Sequence, residues 1–166
     1  MEKRVYANYA AGAPLRPAAK QRMETVFDTV LGNPSDPGRE GRAARRVLEE
    51  SRRTIASLLQ VEPGDIFFTS GATESCNLAL LGMRPAADGR TLAISALEHS
   101  AVRAPAKTWP DPVMLPATRQ GTVDIAAAKS LLKETIFLCS VMTVSHELGT
   151  LQPLSAIAPL CKEAGI

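Results

Sequence analysis

The chain has 166 residues, of which 45% are hydrophobic and 22% charged, which is enough for one compact domain with a core. The 19 basic and 17 acidic residues are interleaved and give a formal charge of +2, which argues against nucleic-acid or membrane partners. No apolar run approaches the roughly 18 residues of a spanning helix, and the start from Met1 to Tyr6 has no apolar signal core, so we expect a cytoplasmic protein.

The first predicted elements, in chain order, are a helix, a strand and a second helix. Apolar residues at three- and four-residue spacing predict an amphipathic surface helix over residues 39–59. Residues 65–69 are short, β-branched and aromatic, which is typical of a strand. A helix is predicted directly after them, over residues 74–81, and it ends at Gly82. This part of the chain therefore reads as a strand, a tight turn and a helix.

The remaining elements keep alternating. They are strands over 91–95, 112–115 and 136–141, and helices over 100–107, 124–133 and from 153 to about 165. Such alternation predicts an α/β fold with a mainly parallel sheet and flanking helices, forming a single partial domain over residues 1–166. Because a crossover helix leads to a further parallel strand, we expect one more strand after the last helix.

The cysteines do not suggest a structural bridge. Cys76, Cys139 and Cys161 are an odd number and lie far apart, in two predicted helices and a strand. Reduced, buried thiols explain this pattern better than a disulfide frame or a metal site, so no metal is expected.

A possible phosphate site lies at the predicted strand-to-helix turn of residues 69–74. A glycine, hydroxyl groups and unpaired backbone N–H groups gather there, at the positive end of a helix. A Ser or Thr in this position is also an ordinary helix cap, and the residues alone leave both interpretations open.

Both histidines follow predicted strands. His99 comes after the strand over 91–95 and His146 after the strand over 136–141. Open α/β sheets bind ligands at the carboxyl ends of their strands, so the two rings could face one cleft. Each could equally be a solvated loop residue.

Several motifs in this order resemble the cysteine desulfurase family of pyridoxal-phosphate enzymes, within the class V aminotransferase group. The matching stretches are the opening from Val5 to Pro14, GNPS at 32–35, FTSGATES followed by NLA at 68–79, EH at 98–99, and VMTVSHELGTLQP at 141–153. The resemblance runs through nearly the whole chain. It implies the amino-terminal part of the large domain of a type I aminotransferase fold.

The resemblance also implies roles for individual residues. Ala72 and Thr73 would bind the phosphate of pyridoxal 5'-phosphate, and His99 would stack on its pyridine ring and act in catalysis by moving protons. His146 stands where the family has an asparagine that contacts the ring hydroxyl. Imidazole can still donate that hydrogen bond, although it is bulkier and titrates. Residues 11–13, Ala-Gly-Ala, also lack two threonines of the family pattern.

The activity implied by the resemblance is the removal of sulfur from L-cysteine, giving alanine and a persulfide for iron–sulfur cluster or thio-cofactor synthesis. The family's Schiff-base lysine, ring-nitrogen aspartate and persulfide cysteine would lie beyond Ile166, so the chain alone is expected to be inactive. Implied partners are a second copy of the chain or a carboxy-terminal half, and a sulfur-acceptor protein.

Two other interpretations stay open. The chain could belong to a related class V lyase, such as a selenocysteine lyase, since the residues that decide this would lie in the part not present. It could also be a non-catalytic remnant that acts as an interaction module, because the departures at residues 11–13 and at His146 affect the implied site.

Overall fold

Residues 5–166 are described by a computed structural model, in which the chain divides into two units that meet in sequence between Phe68 and Thr69. Residues 1–4, with Lys3 and most of the charged start of the chain, lie outside the described residues. The single domain over residues 1–166 stays a prediction, and the two units are considered separately.

The first unit contains two helices, α1 over Pro17–Thr29 and α2 over Arg39–Leu59. Helix α2 has the predicted bounds and ends where Gln60 adopts a left-handed conformation, at φ 56°. Helix α1 was not predicted. It has proline in its first turn and no buried residue, so burial imposes no apolar periodicity on its sequence.

The turn at residues 32–35 packs closely against α2. The Asn33 side chain accepts a hydrogen bond from the Ser35 backbone N–H at 2.9 Å, as expected for an asparagine that bridges backbone groups. At Gly41 a Cβ would lie 2.3 Å from the Asp36 carbonyl oxygen and 2.7 Å from that of Asn33. Glycine is therefore required there by space rather than by backbone conformation.

The predicted strand over residues 65–69 is wrong. A short 3-10 turn covers Pro63–Asp65, and the segment after it has no strand partner within residues 5–166. The Ile66 carbonyl accepts a hydrogen bond from the Arg52 guanidinium, and Phe67 is 75% exposed. Strand propensity alone does not make a strand, because a strand needs a neighbour to satisfy its backbone groups.

The second unit alternates helices and strands as predicted. Its elements are α3 over Ala72–Met83, β1 over Thr91–Ser95, α4 over Ser100–Ala106, β2 over Val113–Leu115, α5 over Ile125–Leu131, β3 over Ile136–Ser140 and α6 over Leu154–Glu163. The helix predicted from residue 124 opens with an acidic cap, because the Asp124 carboxylate accepts a hydrogen bond from the Ala127 N–H at 3.1 Å. None of the helices found in residues 5–166 is long and apolar enough to cross a bilayer.

The three strands form a parallel sheet in the order β2-β1-β3, with Ala93 of β1 level with Val113 and Cys139. Successive β1 residues face opposite sides: Leu92 and Ile94 pack in one apolar cluster and Ala93 in another. Helices α3 and α4 contribute to the first cluster, and α5 and α6 to the second. The α/β fold with a parallel sheet and flanking helices is confirmed.

Candidate functional site

The amino terminus of α3 presents backbone N–H groups that the helix itself cannot satisfy. Gly71, which precedes the helix, makes no side-chain cap, and first-turn amides have no intrahelical acceptor. A Cβ placed on Gly71 would meet nothing within 4 Å, so this end is open. Ala72 and Thr73 are the first two helical residues and are exposed. Amides, a hydroxyl and the positive helix end together suit an anion.

Side-chain hydrogen bonds hold the turn in front of α3. The Glu74 carboxylate accepts from the Ser70 hydroxyl at 2.6 Å and from the Ser70 N–H at 2.7 Å. Both bonds lower the pKa of Glu74, and the bond from the Ser70 hydroxyl has the larger effect. The hydroxyls of Thr69 and Ser75 lie 2.6 Å apart and form a second link across the turn. None of these bonds uses the first-turn amides.

His99 ends the loop after β1 and caps α4. Its Nδ1 accepts a hydrogen bond from the Ala101 backbone N–H at 3.1 Å. An accepting Nδ1 carries no hydrogen, so the neutral ring has its hydrogen on Nε2. The cap therefore sets both the orientation and the tautomer of His99, and it leaves Nε2–H as the donor for a ligand.

The structure brings His146 next to His99. The two ring centroids are 5.0 Å apart and the ring planes meet at 72°. Because β1 and β3 are neighbouring parallel strands, their carboxyl ends lie at the same edge of the sheet and the loops after them meet. The strand ends predicted this proximity.

Glu98 is a third member of this group that sequence reasoning missed. It is only 7% exposed, and the Ser140 hydroxyl donates to its Oε1 at 3.4 Å. Burial raises the pKa of Glu98, and the effect is partly opposed by hydrogen bonds, first from the Met142 backbone and then from Ser140, and by the charge of His146. Burial therefore favours the protonated form of this carboxyl group, and the nearby hydrogen bonds favour the carboxylate. Its place directly after a strand and before a histidine was the available signal.

The loop that carries His146 is held by backbone and side-chain bonds. The Ser145 N–H donates to the Thr150 carbonyl at 2.9 Å, and the Gln152 N–H donates to the Thr143 carbonyl at 2.9 Å. Gln152 is itself buried, and its side chain bonds the segment around residues 121–123. Sequence reasoning missed Gln152 as well, since only its place in the QP motif marked it.

Ala72 and Thr73 lie on the helix that packs against the helix capped by His99. Leu80 of α3 and Val102 of α4 share one apolar cluster. A common cleft for Thr73 and His99, which their implied roles on one cofactor require, stays a prediction. The helix predicted over residues 74–81 is confirmed; it begins two residues earlier, at Ala72, and Thr73 is exposed in its first turn.

The groups present fit a phosphorylated aromatic cofactor. The free backbone amides and the Thr73 hydroxyl can donate hydrogen bonds to its phosphate. The imidazoles of His99 and His146 can stack on the aromatic ring of such a cofactor or donate N–H hydrogen bonds to it. The Glu74 carboxylate lies at the same helix end, but its hydrogen bonds go to Ser70 and leave the amides available. The same residues are the ones at which the class V resemblance implies pyridoxal phosphate.

Two solved structures have folds similar to that of this chain. A NifS-like protein matches 98% of this chain at 29% identity with a TM-score of 0.91, and the match covers 46% of that protein. A structure described as SspA in complex with cysteine matches 95% of this chain at 27% identity with a TM-score of 0.84, covering 47% of that chain.

Sequence comparisons point to the same group. The cysteine desulfurase IscS of Dictyoglomus turgidum is 35% identical over 172 residues, which cover 100% of this chain and 44% of the relative. The cysteine desulfurase IscS 1 of Archaeoglobus fulgidus is 37% identical, over 93% of this chain and 42% of its own length. The chain thus spans less than half the length of these relatives. The model of the family described as aminotransferase class-V matches residues 5–166, and the chain therefore belongs to the class V aminotransferase family.

Proposed function

We propose that this chain is the cofactor-binding part of a cysteine desulfurase-like enzyme, which uses pyridoxal 5'-phosphate to remove sulfur from L-cysteine. The observation that carries the proposal is the open amino terminus of α3, where Thr73 and uncapped amides coincide with the class V motif. Similar proteins named cysteine desulfurases, and a similar protein solved with cysteine, support the choice of substrate. The products would be alanine and a persulfide for iron–sulfur cluster or thio-cofactor synthesis.

Each residue of the site has a defined task in this proposal. The amides of Ala72 and Thr73, with the Thr73 hydroxyl, bind the phosphate. His99 stacks against the pyridine ring, and its Nε2 holds or releases a proton, because Nδ1 is engaged in capping α4. His146 donates a hydrogen bond to the ring hydroxyl. When bound, the cofactor supplies an electron sink that stabilises negative charge on the substrate.

Glu98 acts in this proposal as the proton partner of the two imidazoles. Its carboxyl is desolvated and lies close enough to His146 for the charge of that ring to affect its pKa. Burial favours the protonated carboxyl, and the charge of the His146 imidazole favours the carboxylate. In this proposal Glu98 holds a proton close to the two imidazoles.

We further propose that activity needs a second polypeptide region. The chain matches only 44% of the desulfurase from Dictyoglomus turgidum, and the lysine, aspartate and cysteine implied by the resemblance would lie in the unmatched part. A carboxy-terminal half would supply that region, a second copy of the chain would be the dimer partner, and a sulfur-acceptor protein would receive the persulfide. The chain alone, given pyridoxal phosphate and L-cysteine, should release no alanine or sulfide above a protein-free control.

The phosphate site can be tested by equilibrium dialysis of the 166-residue chain with pyridoxal phosphate. Thr73→Val should weaken binding about 10- to 100-fold, because a hydrogen bond to a charged group contributes roughly 1.5–3 kcal/mol. Thr54→Val is the matched control: this hydroxyl is also exposed on a helix and only donates to the Glu50 carbonyl, at 2.9 Å. Equal binding by the two variants would show that Thr73 does not hold the phosphate.

A non-catalytic interaction module is the second candidate, and one observation favours it. His146 replaces the asparagine that the resemblance implies, and its larger ring lies against His99, the residue that would stack on the cofactor ring. His146→Asn should then restore tighter pyridoxal phosphate binding. If neither the native chain nor this variant binds the cofactor, the enzyme proposal fails and the module becomes the better account.

A further inference from the structure

One side of helix α2 carries a stripe of charged side chains. Its members are Arg42, Arg46, Glu49 and Arg53. Their spacings of four, three and four residues place them along one face of the helix. Together with Arg45 they line an open groove of about 360 Å³. In chain order the stripe is basic, basic, acidic and basic, and it extends over about 16 Å at a rise of roughly 1.5 Å per residue.

Two arginines of this groove are restrained by bonds to the turn before the helix. The Arg42 guanidinium donates a hydrogen bond to the Pro37 carbonyl at 2.5 Å. The Arg45 Nε donates to the Pro34 carbonyl at 2.7 Å. A guanidinium group has several N–H donors, so each bond restrains the side chain and leaves other donors for a partner. Side chains restrained in advance lose less conformational entropy when they bind.

The positive charge of the groove is not cancelled within the chain. Among residues 5–166, the four arginines of the groove form no ion pair with an acidic side chain. The acidic member of the stripe, Glu49, is paired instead with Arg52, at 3.3 Å between Oε2 and Nε. Arg52 lies outside the groove, with its guanidinium 5.0 Å from the centre of the Phe68 ring. The groove therefore presents guanidinium groups that a negatively charged partner can bind.

We propose that this face of α2 is a docking surface for an acidic helix of a partner protein. The planar fork of a guanidinium binds a carboxylate through two parallel hydrogen bonds. A helix that lies antiparallel to α2 brings unlike ends of the two helix dipoles together. Such a helix would place three carboxylates opposite the arginines of the stripe and one basic residue opposite Glu49.

The shape and composition of the groove argue against other anions. A single small anion would contact only part of a stripe that extends over about 16 Å. Single-stranded nucleic acid binds by stacking on aromatic side chains as well as by charge, and the residues that line this groove are arginines and one glutamate. The inference does not depend on the proposed enzyme function, because the groove uses neither Thr73 nor His99.

The test is a fluorescence-anisotropy titration of the 166-residue chain with a labelled, alanine-based helical peptide. Low ionic strength is used because salt screens exposed charges. Within a twelve-residue stretch the peptide has glutamate at the first, eighth and twelfth positions and lysine at the fifth, which complements the stripe in the antiparallel orientation. A peptide of the same composition with shuffled charges should bind about 10-fold more weakly. Absence of binding to the matched peptide, or equal binding of the two peptides, would overturn the proposal.

A double variant tests whether the groove itself binds the peptide. Arg46→Gln combined with Arg53→Gln should weaken binding of the matched peptide about 10-fold, because two ion pairs are lost. Arg22→Gln combined with Arg119→Gln is the matched control, since it removes the same charge from exposed positions outside the groove. The control should bind within about twofold of the native chain. Equal weakening in both double variants would mean that net charge alone attracts the peptide, contrary to the proposal.

Exchange of charges decides whether the contact is direct. Arg46→Glu should weaken binding of the matched peptide about 10-fold, because an ion pair is replaced by a like-charge pair. Replacing the glutamate at the peptide's eighth position with lysine should restore most of the binding to this variant. Failure of this restoration would refute the proposed docking. A labelled oligouridine that the native chain binds more tightly than the matched peptide would refute an acidic helix as the occupant.

Discussion

The buried side chain of Gln152 offers the sharpest test of how this fold is held together. Gln152 is 7% exposed and its amide joins two loops of the second unit. Its Oε1 accepts from the Val123 N–H at 2.9 Å, and its Nε2 donates to the Gly121 carbonyl at 3.0 Å and to the Thr150 hydroxyl at 3.3 Å. Gln152→Leu keeps most of the side-chain volume and removes all three bonds.

The expected cost follows from which groups lose their partners. The Val123 N–H is buried and would have no acceptor, whereas the Gly121 carbonyl would still accept from the Thr150 hydroxyl at 2.7 Å. One orphaned buried donor costs roughly 1–3 kcal/mol, and the better match of leucine to an apolar setting offsets only part of it. We expect a net loss of about 2 kcal/mol in the free energy of unfolding, or about 4–8 °C in Tm.

Tryptophan fluorescence can follow this loss in the second unit alone. Trp109 is the chain's only tryptophan and is 3% exposed, in the same unit as Gln152. Urea unfolding monitored at Trp109 should shift to lower denaturant for Gln152→Leu. Gln120→Leu, at an exposed position of the same unit, is the matched control and should leave the midpoint unchanged. A free energy for Gln152→Leu within about 0.5 kcal/mol of the native value would refute the reasoning.

Three further predictions concern other parts of the chain. Gly41→Ala should destabilise the first unit by about 1–3 kcal/mol, because the added Cβ would lie 2.3 Å from the Asp36 carbonyl oxygen. Gly64→Ala is the control and should not destabilise it, because a Cβ at Gly64 meets nothing within 4 Å. Thermal melts followed by circular dichroism compare the two variants. The lowered pKa of Glu74 means that its stabilising effect is present above the unfolded value of 4.5 and is lost as the pH falls below it; an NMR titration should show this pKa rising in Ser70→Ala. Burial raises the pKa of the Cys139 thiol from 9.0 to about 12, so its contribution to the free energy of unfolding is complete below pH 9.0 and is lost as the pH rises towards about 12. Over this range the free energy of unfolding should fall more steeply with pH in the native chain than in Cys139→Ala.

The sequence pattern correctly predicted those helices and strands in which burial of one face or of the whole element fixes the positions of apolar residues. Helix α2 keeps an apolar stripe, with Ala44 and Ala56 buried, and β1 is buried along nearly its whole length, so both were predicted with the observed bounds. The cap at Asp124 was also predictable, because it depends on local backbone groups only. These features need no knowledge of distant contacts.

The missed features either carry no apolar pattern or depend on contacts between distant parts of the chain. Helix α1 buries no residue and so carries no apolar stripe to read. The strand predicted over residues 65–69 failed for want of a neighbouring strand. The pKa of Glu98 is raised only because folding buries it beside residues more than 40 positions away, as its bond with Ser140 shows. Motif resemblance marked His99 and His146, but not the tautomer that the α4 cap imposes on His99.

The Gln152 prediction extends to the candidate site, because the bonds that stabilise this unit also hold His146. Gln152 bonds the loop at both ends, through its backbone to Thr143 and through its side chain to Thr150. Loss of the side-chain bonds should let the loop move, and the 5.0 Å contact between the rings of His99 and His146 should loosen with it. In NMR spectra the His146 ring signals should then shift or broaden in Gln152→Leu, while Gln120→Leu leaves them unchanged. Unchanged His146 signals in a destabilised Gln152→Leu chain would mean that the turn at Ser145, where Leu148 N–H donates to the serine hydroxyl at 3.2 Å, holds the imidazole by itself.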